Sequence, residues 1–153
     1  MSPLGPTRPP THRGLSFEKM AKLAAEIEEV ADGGVVTAEA LDDLAADLGA
    51  GVEAIYAALA TTELRIETDS DVRFEVCAGG CQNWGALPVL ERLVDSRNDR
   101  LENGAQAFDV VPRECLDTCR QAAAVVVVSP AGRGVIEAAT PAKIDEAIAA
   151  LLD

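Results

Sequence analysis

The chain has 153 residues, with 26 acidic against 13 basic side chains, a net charge of −13, four cysteines and a single histidine. That balance excludes a nucleic-acid binder, because phosphate contacts need a Lys/Arg surface, and no apolar run approaches the roughly 20 residues that span a bilayer. The length suits one domain or a small domain with an accessory one, and at 48% hydrophobic but 3% aromatic residues the core must be aliphatic.

Residues 1–15 carry Pro3, Pro6, Pro9 and Pro10 with almost no apolar periodicity. They read as a flexible tail that cannot offset its own ordering entropy, and His12 within it as solvated. The stretch lacks the apolar segment of a secretory signal, and four cysteines late in the chain do not suit a disulfide-rich secreted scaffold. The expected compartment is therefore cytoplasmic, with a metal or redox role for the thiols.

From Ser16, a candidate N-cap, Met20, Leu23, Ala24, Ile27 and Val30 share one helical face until Asp32-Gly33-Gly34. Thr37 caps a second helix with Leu41, Leu44, Ala45 and Leu48 apolar and Gly49 as its stop, and a short third carries Val52, Ile55, Tyr56 and Leu59. Residues 16–70 hold 13 acidic and 3 basic side chains, mostly between the apolar positions. They predict a small helical bundle with a solvated acidic face and no catalytic group.

Residues 71–153 read differently. After an extended Leu64 and Ile66 and a turn at Asp69-Ser70-Asp71, Val72–Val76 alternates as a strand, Cys77–Asn83 forms a loop, and a helix starts near Trp84 or Gly85. Leu87, Leu90, Leu93 and Val94 form its buried stripe, with Pro88 tolerable in the first turn and Trp84 as a packing residue. Phe108–Val111 predicts a strand, Pro112–Arg120 a second cysteine loop, and Ala124–Val128 a strand covered on both faces. A turn at Pro130–Gly134 leads to a strand at Val135–Ala138. Thr140 then caps a last helix, with Pro141 at its first position and Ile144, Ala147, Ile148 and Leu151 facing inward. The order strand–helix–strand, strand–strand–helix is that of a thioredoxin-type fold. The expected class is thus α+β or α/β, a helical region followed by a thioredoxin-like domain.

Cys77-Ala-Gly-Gly-Cys81 and Cys115-Leu-Asp-Thr-Cys119 are both C-x3-C pairs, each in a loop after a predicted strand. If those strands are sheet neighbours, both loops leave the same end and four thiolates can meet, as zinc or an iron–sulfur cluster requires. Zinc knuckles more often use C-x2-C. The wider x3 loop favours a cluster, with Gly79 and Gly80 amides available to sulfur and Arg113 and Arg120 beside the second pair to offset charge. Structural zinc, a dithiol–disulfide oxidoreductase and four inert buried thiols remain open alternatives. No Ser/His/Asp set, G-x-G-x-x-G or P-loop is present.

Four stretches together carry a family resemblance: Val36-Thr-Ala-Glu-Ala-Leu-Asp-Asp-Leu-Ala with Val52-Glu-Ala-Ile-Tyr56, Cys81-Gln-Asn-Trp-Gly85-Ala86, Cys115-Leu-Asp-Thr-Cys119 and Thr140-Pro-Ala-Lys-Ile144. Over residues 16–153 the chain resembles the thioredoxin-like 2Fe–2S ferredoxins. Within them it is most similar to the small iron–sulfur subunit of NADH:quinone oxidoreductase and of related NAD-linked hydrogenases and formate dehydrogenases. The resemblance implies one 2Fe–2S cluster on Cys77, Cys81, Cys115 and Cys119 and docking against an FMN- and NADH-binding flavoprotein subunit. It implies one-electron transfer by a non-catalytic subunit of an NAD(P)H-linked oxidoreductase. The family's first pair is spaced C-x4-C, one residue wider than here. A stand-alone soluble ferredoxin and a zinc-stabilised interaction module are the rival functions.

Overall fold

In the computed structural model, which describes residues 10–116 and 122–153, the helix boundaries follow local capping chemistry. Ser16 Oγ accepts from the Lys19 amide at 3.1 Å and starts α1, Phe17–Val30. Thr37 Oγ1 accepts from the Ala40 amide and starts α2, Ala38–Leu48, which Gly49 ends at φ 62°. The third helix, α3, is Val52–Leu59. The apolar stripes are buried except at their ends. Val30 and Leu48, expected to face inward, are 43% and 42% exposed, because each sits in a last turn that no neighbouring element covers. The acidic face is not wholly solvated: Oε2 of Glu53 is buried without a hydrogen-bond partner, and the Glu53 charge pushes the Glu91 carboxyl up.

Two short strands interrupt the helical region. β1, Val35–Val36, pairs in parallel with β2, Arg65–Ile66. The second matches the extended segment that the sequence predicts; the first has no counterpart in the sequence reading.

The larger sheet has the order β4-β3-β5-β6. Its strands are β3, Arg73–Cys77, β4, Asp109–Arg113, β5, Val125–Ser129, and β6, Gly132–Ile136. β3 and β4 are parallel, β5 is antiparallel to β3, and β6 to β5. Between β3 and β4 the chain runs through a 3-10 helical turn at Gly80–Trp84 and α4, Ala86–Glu102. The predicted loop over Cys77–Asn83 is therefore largely helical. After β6, Thr140 caps α5, Pro141–Leu152, by accepting from the Lys143 amide. Ile144 and Ile148 are buried there, but Leu151, expected inward, is 39% exposed.

Three expectations about the sheet change for physical reasons. β3 does not alternate; it is buried on both faces from Phe74 to Cys77, Glu75 included. Pro112 belongs to β4 rather than to the following loop, which an outer strand tolerates because it need not donate every N–H. β6 begins at Gly132, three residues early, because Pro130 and Ala131 alone form the hairpin turn.

One apolar core runs through both regions, from Leu23 and Ile27 through Ile55 and Tyr56 to Phe74, Leu90 and Ile144. The rings of Phe74 and Phe108 meet edge-on with centroids 4.9 Å apart. A polar seam joins α2 to α4. Asn98 Nδ2 donates to Asp42 Oδ2 at 3.1 Å beside the buried Arg97. Burial raises the Asp42 carboxyl, while Asn98 and Arg97 act against that rise. At the N-terminal end of β3, the buried Asp109 carboxylate accepts the amides of Asp69 and Ser70 and fixes the predicted turn.

Candidate functional site

β3 and β4 run in the same direction, and the last pair in their register is Cys77 opposite Arg113. Both cysteine loops therefore leave the same end of adjacent strands, which meets the condition set in the sequence reading. They also touch: the Ala78 amide donates to the Arg113 carbonyl at 2.7 Å, and Cys77 Sγ lies 3.7 Å from the Glu114 carbonyl oxygen. The approach is close enough that a Cβ at Gly79 would collide with that carbonyl. This explains a glycine here without any appeal to unusual dihedrals.

Cys77 and Cys81 are 4% and 3% exposed and stand within hydrogen-bond contact. The Cys77 thiol is lowered from an ordinary value of 9.0 to about 6. The hydrogen bond from Cys81 is the largest cause. Burial opposes it, and the amides of Cys81, Gly79 and Leu116 lower it further. The Gly79 amide thus does reach sulfur, as expected. In metal-free protein the Cys77 thiolate should titrate near pH 6, read by thiolate ultraviolet absorbance; a midpoint near 9 would contradict this geometry. Ionisation favours the folded state because the folded value lies below the unfolded one. Its contribution is complete above pH 9, shrinks as pH falls, and is gone below about pH 6.

The four predicted ligands are brought together in part. Cys115 is exposed and stands on the second loop, two residues beyond β4. Cys119 and Arg120 lie outside the described residues. Among the described residues, no three Cys, His, Asp or Glu side chains form a group able to hold a metal ion. The donor chemistry itself fits a thiolate-ligated cluster, with paired thiols, amide donors aimed at sulfur and two loops in contact. Arg113, expected beside the second pair to offset charge, directs Nη2 to Glu75 Oε2 at 3.5 Å, an oxygen that also accepts from Arg73 Nε at 2.7 Å. The parallel register, invisible in local sequence, sets that choice.

Residues 11–15, expected to belong to a flexible tail, are instead hydrogen-bonded to the turn after Cys81. The Asn83 carbonyl accepts the amides of Thr11 and His12. Asn83 Oδ1 accepts Gly14 N at 3.2 Å, and Gln82 Oε1 accepts Leu15 N at 2.7 Å. Gln82 is buried and also donates Nε2 to the Ala78 carbonyl. Two amide side chains directly after Cys81 are the sequence signal for this strap. Trp84 packs partly buried against the core, as expected. Gln82→Ala strands the Ala78 carbonyl and the Leu15 amide, so a loss of about 1–3 kcal/mol is expected in chemical denaturation, with faster alkylation of Cys81. An unchanged midpoint and unchanged alkylation would show that the strap holds nothing.

No protein-family model matches the chain, and no curated protein matches it.

Proposed function

We propose that this chain is an electron carrier whose 2Fe–2S cluster sits on Cys77, Cys81, Cys115 and Cys119. The cluster would lie in a thioredoxin-like domain over residues 71–153, beside a small helical bundle over 16–70. In this reading the chain is a cytoplasmic subunit of an NAD(P)H-linked oxidoreductase, docked on an FMN- and NADH-binding flavoprotein subunit. The observation that carries it is the departure of both cysteine loops from one end of parallel neighbours, with amide donors around Cys77. The strand order β4-β3-β5-β6, with α4 between the parallel pair, supports the thioredoxin-like reading.

When bound, the cluster supplies one-electron transfer through the iron oxidation state. The chain's own residues hold and shield it. Cys77 is suited to ligate because the hydrogen bond from Cys81 and the surrounding amides hold its thiol below the ordinary value. The Gly79, Cys81 and Leu116 amides stabilise negative charge on its sulfur, and so also the charge added on reduction. Gly79 lets the second loop approach. Gln82 ties the strap to the turn that carries Cys81. The acidic helical region favours a flavoprotein with a basic docking patch, with association that weakens as salt rises.

Anaerobic purification followed by visible absorbance and metal analysis tests the reading. A coloured protein containing iron is expected. A colourless one holding zinc alone after iron reconstitution would replace it with the zinc module. Dithiol–disulfide exchange is favoured by one observation, the lowered Cys77 thiol bonded by Cys81, but burial of both sulfurs denies a substrate disulfide access. Negligible disulfide reduction by metal-free protein is therefore expected.

A further inference from the structure

A cavity of about 480 Å3 opens between β2 and the outer side of β4, and three arginines from three strands line it: Arg65 on β2, Arg73 on β3 and Arg113 on β4. In a chain with twice as many acidic as basic residues, such a gathering needs a reason. Pairing within the protein does not supply one. Arg73 and Arg113 share a single oxygen, Oε2 of Glu75, and among the described residues neither has a second carboxylate within 4 Å. Arg65 is exposed and has no carboxylate within 4 Å among the described residues. Glu67 and Glu114 also line the cavity, yet neither pairs with any of the three arginines.

We propose that this cavity binds a small phosphate-bearing anion. Guanidinium forks match phosphate oxygens bidentately, and three forks from separate strands offer more donors than one carboxylate can use. An added β-strand is the less suitable occupant, since Pro112 on the outer strand has no N–H to offer. The inference does not depend on a cluster at the cysteines, and it can fail or hold separately from that reading.

The test is an NMR titration of the full chain at low ionic strength with pyrophosphate, inorganic phosphate and citrate. Pyrophosphate should saturate, with amide shifts confined to residues 62–68, Arg73 and residues 111–114, and should bind more tightly than citrate. Arg65→Gln, at an exposed position that leaves folding intact, should weaken binding about tenfold, as loss of a charge-assisted pair does. Arg113→Gln should weaken it as well. The proposal is overturned by no saturation below about 10 mM, a range weaker than ordinary specific binding. Shifts spread over the surface, equal binding of citrate, or an affinity indifferent to Arg65→Gln would overturn it too.

Discussion

Cys77→Ser is expected to abolish the visible absorbance of the iron-loaded protein while leaving its far-ultraviolet circular dichroism in place. Serine can still accept from the amides around position 77, so the local backbone keeps its hydrogen bonds. What is lost is a thiol held below its ordinary value and the soft donor that iron requires. Cys115→Ser, on the exposed second loop, should bleach the protein in the same way at less cost to stability. Iron content and absorbance read together check both. Retention of the full chromophore in Cys77→Ser would remove this residue from the ligand set.

Gly79→Ala should be the most damaging small substitution near the cysteines. Its methyl group would collide with the backbone carbonyl of Glu114, which cannot rotate away as a side-chain tip could. The two loops must then separate. Overpacking of this kind costs about 1–3 kcal/mol, measurable by urea denaturation, and should also slow cluster assembly and shorten its lifetime in air. A control at Gly134, where a Cβ meets nothing within 4 Å, should leave the cluster unchanged. Equal behaviour of the two variants would mean that the close approach of the loops has no part in holding iron.

Local chemistry makes much of the fold legible. Ser16, Thr37, Gly49 and the Thr140-Pro141 pair mark helix ends by hydrogen bonds to amides three residues away, or by φ that glycine tolerates, and such interactions are written in short sequence. Non-local features are not legible in this way. Val35–Val36 is too short to show a period and is a strand only because Arg65–Ile66 runs beside it. Gly132–Ile136 carries two glycines and an exposed face, which hide a strand that β5 creates by pairing. Helix ends such as Val30 and Leu151 keep the apolar period where no partner element waits.

The cysteine site divides along the same line. Spacing alone places both pairs in loops after strands, and the parallel register then puts those loops at one end of the sheet. The contact of Cys77 with the second loop, the strap on Gln82 and Asn83, and the turning of Arg113 toward Glu75 all depend on residues between 37 and 72 positions apart. A charged residue among Val and Phe in mid-strand is the one sequence sign that Glu75 would need partners.

Whether these cysteines hold two irons is read most directly by EPR of anaerobically purified protein, before and after reduction with dithionite, with iron and acid-labile sulfide counted per chain. A 2Fe–2S cluster predicts a coloured protein with two of each, silent as oxidised and showing one spin per chain once a single electron has entered. A colourless protein with no spin on reduction, even after iron and sulfide are supplied, would contradict it.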